Sequence, residues 1–425
     1  MNNTNNISGP TVGTGMFSFL RALPHRLSLS RKFFLLGAVS VAMTALPSWF
    51  YLRQSNAELD TARLELRGTA PMSAALTVIQ ATQQHRGLSA GLLAGDATLA
   101  DRRVEARNAM SKANEAMDAS LHAAGAPPSI TATWSERKQQ WAALEQAVAA
   151  RRIDPASSMA QHNQLIAEQL ALIDRLLDEF GLSLDPQAES YFLIMGALVS
   201  APALTERLAQ LRGLGTGLVA AGKVPPESRV ALIALLGRAN ELFADLTRNL
   251  EKAVAAGGKR NQHLVEKVDP LKTQLAKSLE TVDRKIIKAT EIKISAGDYF
   301  QDLSGTINGV YDFNAVALKQ LGTMLEERVS ELRRTQWLTL SGLLALSMAA
   351  LALSLLEAAP LLDLALELVE LATSGRERCA IVVESPSRRA VVDVQQDSSG
   401  FDRRPLEMLE GLEEGSVLEH RNARA

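Results

Sequence analysis

The chain has 425 residues, of which 47% are hydrophobic and 4% aromatic, and its formal net charge is −2. This balance provides no broad basic field for nucleic acid, and the single cysteine, Cys379, excludes an intramolecular disulfide. Ala, Leu, Glu, Gln and Arg dominate the composition. Because these residues lose little entropy in helices, the composition predicts an all-α protein.

Two stretches of 20 residues without a charge are long enough to cross a membrane as helices. The first is 33–52, which ends in Trp49, Phe50 and Tyr51, and the second is 337–356. A rise of about 1.5 Å per residue lets each helix cover a hydrocarbon core of roughly 30 Å. A cleaved signal peptide is the alternative for the first stretch. That stretch is longer than the apolar part of a signal peptide, however, and no small-residue cleavage site follows it.

The charges that flank the first stretch predict the orientation of the chain. The segment 1–32 contains no acidic residue before the membrane, and the positive-inside rule therefore places it in the cytoplasm. With two spans, the tail 357–425 lies on the same side and 53–336 lies outside. We expect an inner-membrane protein with both termini cytoplasmic and its main domain in the periplasm. The basic residues before the first span are Arg21, Arg26, Arg31 and Lys32.

Between the two spans the pattern is helical throughout. No strand-like alternation of useful length occurs, and apolar residues recur at helical spacing, as from Leu165 to Leu177. Seven groups of Gly, Pro and Asp interrupt this pattern and predict eight helices. The interruptions lie at 95–96, 125–128, 154–155, 185–186, 222–226, 257–258 and 297–298.

An internal repeat suggests how these helices are grouped. Residues 84–95 and 210–221 share seven of twelve residues at an offset of 126. The simplest explanation is two four-helix units, 71–180 and 187–336, each an up-down bundle with short loops. Each repeated segment has two glycines four residues apart on one helix face, where we expect a neighbouring helix to approach closely. These glycines are Gly87, Gly91, Gly213 and Gly217.

The region between the spans has no recognisable catalytic pattern. Its histidines do not have metal-ligand spacing, and no nucleophile elbow or glycine-rich phosphate loop is present. We therefore expect no enzyme activity, no metal and no cofactor. The histidines are His85, His122, His162 and His263.

Two arginines are the candidate ligand-binding residues. Arg86 and Arg212 occupy equivalent positions of the repeat, and each precedes a glycine. A guanidinium group is planar, permanently charged and donates a fork of hydrogen bonds that suits planar oxyanions. Two such groups that face one cavity would bind a small anion. The alternative is structural, with each arginine capping a bundle layer or pairing with a carboxylate such as Glu206.

The segment around the first arginine resembles a known sensor family. Residues 82–91, Thr-Gln-Gln-His-Arg-Gly-Leu-Ser-Ala-Gly, resemble the signature helix of nitrate- and nitrite-sensing (NIT-type) domains. Residues 184–193 and 202–208 are similar to segments of bacterial methyl-accepting chemotaxis receptors that carry such domains. The resemblance covers about residues 20–356. Where the family usually has Glu before the first arginine, this chain has His85.

The resemblance carries specific expectations about fold, ligand and partners. It implies a dimeric periplasmic sensor of eight helices in two bundles. It also implies an oxyanion that is contacted by Arg86 and by an arginine of the second repeat, here Arg212. We expect nitrate, nitrite or another small anion as the ligand. The expected protein partner is a second copy or a full-length receptor, and no nucleic acid is expected.

The tail after the second span departs from a complete chemoreceptor. Residues 360–371 resemble a first HAMP helix with an exit at Gly375, but the signature of the second HAMP helix is missing. Residues 379–384 and 390–395 predict two short strands. No methylation helix, kinase-binding tip, kinase motif or cyclase motif occurs in 357–425. We therefore expect a sensor that has no cytoplasmic signalling domain of its own.

Two functions remain open on the sequence alone. The first is a chemoreceptor-like sensor that binds a small ligand in the periplasm and passes a conformational signal across the membrane. The second is an adaptor or structural membrane protein whose bundle binds a partner protein. A polar cavity shared by Arg86 and Arg212 would favour sensing, whereas a buried pair of Arg86 with a carboxylate would favour a structural role.

Overall fold

The computed structural model describes most of the chain and divides it into two units. The described residues are 29–258, 262–373, 379–385 and 388–394. The larger unit, 39–343, contains every residue of the candidate site. The smaller unit comprises the residues before 39 and after 343.

Eight α-helices follow one another in the described residues, and the predicted all-α class is confirmed. The fifth helix includes a π-helical part at Met195–Ser200, and a π-helical turn at Asp283–Ile287 directly follows the seventh helix. The helices are α1 Leu29–Leu93, α2 Ala100–Ala124, α3 Pro128–Ala149, α4 Pro155–Glu179, α5 Ala188–Ala220, α6 Pro226–Gly257, α7 Gln262–Val282 and α8 Ala296–Thr373.

Helix ends coincide with the Gly, Pro and Asp groups of the sequence. Gly125 ends α2 in the left-handed conformation with φ 68°, which suits a residue without a side chain, and Pro128 then begins α3. At the start of α4 the Asp154 carboxylate accepts hydrogen bonds from the backbone N–H groups of Ala156 and Ser157, each at 3.0 Å. These local signals explain why the loops are short.

The last predicted interruption lies a few residues too late in the sequence. The chain leaves helical structure after the π-helical turn at Ile287, and α8 begins at Ala296. Ser295 Oγ accepts a hydrogen bond from the N–H of Asp298 at 3.0 Å and so caps the helix. Because this cap starts α8 earlier, Gly297 lies inside its first turn rather than in a loop.

Side-chain contacts join the four helices α1, α2, α3 and α4 into one group. The Thr82 hydroxyl of α1 lies 3.7 Å from Met110 Sδ of α2, and Gln169 of α4 donates to it at 3.1 Å. Trp134 of α3 donates its Nε1–H to Asp118 of α2 at 2.7 Å. The largest fully buried side chains here are apolar, and their removal from water stabilises the bundle. They include Met72, Ile79, Met110, Met117, Leu121, Ile130, Ile166 and Ile173.

Helices α5 to α8 form the second group. The Tyr299 hydroxyl of α8 donates to the backbone carbonyl of Leu211 in α5 at 2.7 Å. Ser278 of α7 and Thr306 of α8 are hydrogen-bonded at 2.8 Å in the interior. The core around them consists mainly of buried leucines, among them Leu204, Leu208, Leu232, Leu246, Leu275 and Leu303.

Most of the glycines that were expected to permit close packing do not lie in a close contact. Three of the four expected glycines have open space where a Cβ would lie: Gly87, Gly213 and Gly217. The fourth, Gly91, is covered by the side chain of Leu99. A Cβ at Gly215 would instead collide with the Tyr299 ring and hydroxyl. Residues two apart on a helix point about 200° apart, so the face that carries Gly213 and Gly217 is not the packed one.

Two helices of the described chain are long and apolar enough to cross a membrane. One is Ala188–Ala220, whose apolar window is 72% buried within the fold and which therefore serves as a core helix. The other is Ala296–Leu353, whose apolar window is 0% buried. In α1 the described apolar side chains of the first expected span are also exposed, as at Met43 and Trp49. These observations concern the length, composition and exposure of the helices, and the two membrane spans remain predictions.

In the smaller unit the predicted strands of the tail are present. They are β1 Cys379–Ser385 and β2 Arg388–Val394, which pair antiparallel with Val382 opposite Val391. The expected HAMP-like stretch 360–371 is helical as part of α8, and its expected exit at Gly375 lies outside the described residues.

Candidate functional site

Arg86 forms a buried ion pair with Glu206, across the contact between α1 and α5. Its Nη1 donates to Glu206 Oε1 at 2.6 Å, and its Nη2 donates to Oε2 at 3.1 Å. Both residues are 3% exposed. Nη1 also donates to Asn163 Oδ1 of α4 at 2.6 Å. The two Nη groups of Arg86 therefore donate to a carboxylate of the chain itself. Pairing of this arginine with a carboxylate is the structural alternative that the sequence left open.

Glu206 is held by more than the arginine. Gln83 donates its amide N–H to Oε2 at 2.9 Å, and Gln210 donates to Oε1 at 2.7 Å. With the two bonds from Arg86, the carboxylate accepts four hydrogen bonds. Such a set fixes its position and compensates for its removal from water.

A tyrosine of α8 completes the arrangement. The Tyr311 hydroxyl donates to Gln83 Oε1 at 2.9 Å, which turns the amide N–H of that glutamine toward Glu206. The Thr205 hydroxyl lies 3.4 Å from the same tyrosine oxygen. Burial raises the pKa of Tyr311 well above its usual range, so the phenol stays protonated and remains a donor.

Arg212, in contrast, forms no ion pair with any carboxylate of the described residues. Its Nη1 donates to the Ser304 hydroxyl of α8 at 2.8 Å, and its guanidinium lies 4.9 Å from the ring centroid of Phe300. Burial, and then the charge of Arg86, lower the pKa of Arg212 to about 10. The side chain stays cationic at neutral pH, and the two guanidinium groups are close enough to repel each other.

These residues form one electrostatic group, which we call the arginine cluster. It brings together the two arginines that the sequence singled out, with different surroundings for each. Arg86 is neutralised and buried, whereas Arg212 is a partly buried cation with polar and aromatic partners only. The sequence analysis had named Glu206 as a possible partner of either arginine, whereas Gln83 and Tyr311 escaped it because Gln and Tyr have no distinctive spacing here. The arginine cluster consists of Gln83, Arg86, Glu206, Arg212 and Tyr311.

A second polar array lies next to the arginine cluster, in the first helix group. His85 Nδ1 and His162 Nε2 are 2.9 Å apart, and His85 Nε2 is 2.9 Å from Glu145 Oε2. His162 Nδ1 lies 2.7 Å from the Ser158 carbonyl, and Arg103 donates to Glu145 at 2.6 Å. Burial lowers the pKa of both imidazoles, that of His162 to about 3, so His162 is neutral near pH 7.

His85 therefore has a partner set of its own. It is the residue that stands where the NIT-type signature usually has Glu. Its ring contacts Glu145 and His162, whereas the next residue, Arg86, pairs with Glu206. Among the described residues, no group of three His, Cys, Asp or Glu side chains is arranged to hold a metal ion.

A cavity of about 440 Å³ lies elsewhere, between α2 and α3. Its one carboxylate, Asp118, is already paired with Lys138 at 2.8 Å and accepts from Trp134. None of its lining residues belongs to the arginine cluster. They are Asp118, Leu121, His122, Gly125, Ala126, Thr131, Trp134 and Lys138.

Comparison with known proteins supports the resemblance seen in the sequence. The structure of the NasR transcription antiterminator matches with a TM-score of 0.50 and 18% identity, covering 73% of this chain and 83% of that one. At this identity the match shows a shared fold. Among curated proteins none matches this chain.

A family model carries the identification further. The model described as nitrate and nitrite sensing (NIT) matches residues 77–322, more than half of the chain. The matched range includes every residue of the arginine cluster. Neither match names a chemotaxis receptor, so the chemotaxis part of the sequence interpretation stays a prediction. On the family model and the shared helical fold, this chain is a member of the NIT family of nitrate- and nitrite-sensing proteins.

Proposed function

We propose that the chain is a transmembrane sensor that binds nitrate or nitrite at the arginine cluster, with Arg212 as the principal contact. The observation that supports this proposal most directly is the positive charge of Arg212. Arg212 is partly buried beside a second guanidinium group and forms no ion pair with a carboxylate of the described residues, since the nearby Glu206 is paired with Arg86. A cation removed from water without a counter-charge is costly, and a small bound anion would relieve that cost.

The chemistry of the surroundings favours a planar oxyanion. The Arg212 guanidinium offers a planar fork of donors, and one of its Nη atoms is already fixed by Ser304. The Phe300 ring lies against the guanidinium and restrains its orientation. Nitrate and nitrite are planar, monovalent and able to accept two parallel hydrogen bonds. They are also the ligands in the description of the family.

The signalling part of the proposal rests on α8. This helix contains Ser304 and Tyr311, which contact Arg212 and Gln83, and its bounds include the predicted span 337–356. An anion between Arg212 and its neighbours would bias the contact between α5 and α8. We infer an inner-membrane location with the bundles in the periplasm, and a signal passed on through a second copy or a receptor partner.

A second function is favoured by a different observation. The Arg86–Glu206 pair is buried and joined by two hydrogen bonds, which suits residues that hold α1 against α5 rather than residues that bind a ligand. If Arg212 were likewise only a packing element, the bundle would act as an adaptor that binds a partner protein. Anion binding separates the two possibilities.

The decisive test is thermal unfolding of the full chain in detergent, followed by its helical signal. Nitrate or nitrite should raise the unfolding midpoint relative to chloride at equal ionic strength. At a hundredfold excess over the dissociation constant, binding to the folded state contributes about 2.7 kcal/mol. The Arg212→Gln variant should lose this rise because it removes the unpaired cation.

Arg238→Gln serves as the matched control, because Arg238 is exposed and paired only with Glu241 on its own helix. That variant should keep the full response to nitrate. A response of equal size in Arg212→Gln would remove the arginine cluster from the site. The absence of any anion effect on the wild-type chain would favour the adaptor function.

A further inference from the structure

The arginine cluster carries a definite charge. It contains two guanidinium groups and one carboxylate, and its glutamine and tyrosine are neutral. The sum is one positive charge, which the described chain does not balance at Arg212. The inference that follows rests on the proposed function and concerns which anions that charge admits.

The charged groups around the cluster do not alter this sum. Glu145 and Arg103 form an ion pair with each other at 2.6 Å, and burial lowers the pKa of His85 beside them. Arg207 donates to Gln210 at 2.7 Å and is not among the charged groups that act on Arg212, which are Arg86 and Glu206. The unbalanced charge is therefore that of Arg212.

Glu206 is a fixed counter-charge rather than a movable one. It is 3% exposed and accepts hydrogen bonds from Arg86, Gln83 and Gln210. Moving the Glu206 carboxylate out would remove an acceptor from each of these three residues, and each buried donor that is left unpaired is costly. A bound anion therefore meets a site in which the charge of Arg86 is already cancelled.

We propose that Glu206 is a specificity-determining residue that restricts the site to monovalent anions. One negative charge next to Arg212 brings the cluster to neutrality. A divalent anion would leave an excess negative charge in a partly buried place, beside the Glu206 carboxylate, which is unfavourable. The carboxylate thus separates nitrate and nitrite from sulfate by charge.

The test measures anion binding by calorimetry with the full chain in detergent, using nitrate, perchlorate and sulfate. The wild-type chain should bind nitrate and not sulfate. Glu206→Gln adds one positive charge, so nitrate should bind at least tenfold more tightly and sulfate should gain measurable binding. Perchlorate is tetrahedral like sulfate but monovalent, and it separates charge from shape.

Glu241→Gln is the control, because it removes an exposed carboxylate from the same chain and should change neither affinity. The double variant Arg86→Gln with Glu206→Gln removes both partners of the ion pair and keeps the cluster at one positive charge. It should keep the preference for nitrate over sulfate, and it avoids a buried unpaired arginine if Glu206→Gln alone does not fold.

Three results would overturn the proposal. Sulfate that binds wild type as tightly as nitrate would show that no charge selection exists. A folded Glu206→Gln variant that still rejects sulfate would also overturn it, while nitrate sensing would stand. A double variant that accepts sulfate would refute charge as the cause. If neither wild type nor Glu206→Gln binds any of the three anions, the proposed sensing function itself fails.

Discussion

Arg86 and Arg212 occupy equivalent places in the repeat, yet their guanidinium groups have opposite surroundings. The repeat predicted that both matter, and the structure does bring them into one electrostatic group. The sequence offered Glu206 as a candidate partner but could not assign it to one of the two arginines, because a partner depends on which helix packs against each face. Glu206 is six residues from Arg212 in sequence, but it faces α1 and pairs with Arg86.

A second buried charge group, separate from the arginine cluster, links three segments of the chain. Arg328 of α8 donates to Glu65 of α1 at 2.7 Å, lies 3.1 Å from Asp185 and donates to Ser190. Two carboxylates share one guanidinium group here, and Glu65 Oε1 and Asp185 Oδ2 have no hydrogen-bond partner. Burial, and then the charge of Asp185, raise the pKa of Glu65 to about 7.

This raised pKa predicts how stability depends on pH. The unfolded chain loses the Glu65 proton near pH 4.5, whereas the folded chain keeps it until about pH 7. The folded state therefore binds more protons in that window, and the stability contributed by this group falls as pH rises from 4.5 through 7. The loss is at most about 3 kcal/mol. In Glu65→Gln this pH dependence should disappear.

The measurement is the free energy of unfolding of wild type and Glu65→Gln between pH 4.5 and 8. The difference between the two proteins isolates Glu65 from all other titrating groups. The stability of the variant relative to wild type should increase with pH. Glu58→Gln, at an exposed position on α1, should run parallel to wild type. Parallel curves for Glu65→Gln would mean that Glu65 titrates normally.

At the scale of the element, α5 offers a matched pair of glycines. Gly215 lies against the Tyr299 ring, and Gly213 faces open space. Gly215→Ala should destabilise the chain by about 1–3 kcal/mol, because the added methyl group forces the buried tyrosine out of place. Gly213→Ala should stabilise it by up to about 1 kcal/mol through helix propensity.

Chemical unfolding of both variants beside wild type gives the two signs directly. Both positions are helical, so their difference reports packing rather than backbone preference. Gly215→Ala should also weaken the bond from the Tyr299 hydroxyl to the Leu211 carbonyl. Equal effects at the two positions would show that Tyr299 moves aside without cost.

The same helix shows what sequence reasoning can and cannot supply. Local signals such as Asp154 before Pro155, or Gly125 before Pro128, act within a few residues, and the helix ends were predictable from them. The packed face of α5 was not predictable from such local signals. Gly213 and Gly217 fit the spacing for a close contact as well as any pair does, and only the position of Tyr299, more than eighty residues later, decides for Gly215.

At the scale of the whole molecule, fold and output are separate questions. The family match covers 77–322, and the NasR transcription antiterminator shares the helical fold at 18% identity. A fold that occurs in a transcription antiterminator does not by itself define a membrane receptor. The membrane interpretation depends on the uncharged stretches 33–52 and 337–356 and on the basic residues before the first of them.

The predicted topology can be tested with the cysteine that the chain already has. Cys379 follows the second span and is the only cysteine. If the tail is cytoplasmic, a membrane-impermeant maleimide should label it only after the inner membrane is permeabilised. The variant Cys379→Ser with Lys223→Cys moves the thiol to the exposed loop between α5 and α6. This thiol should react in intact spheroplasts.

Wild type and the variant serve as controls for each other, because each has one thiol and the same expected spans. Opposite accessibility is the expected result if one membrane crossing separates residue 223 from each terminus. Labelling of both thiols in intact spheroplasts would place the loop and the tail on the outer side. This result would contradict a single membrane crossing by α8 between them. Labelling of neither would place residue 223 inside. An anion bound at the arginine cluster would then come from the cytoplasm, because Arg212 precedes that loop in α5 without an intervening span.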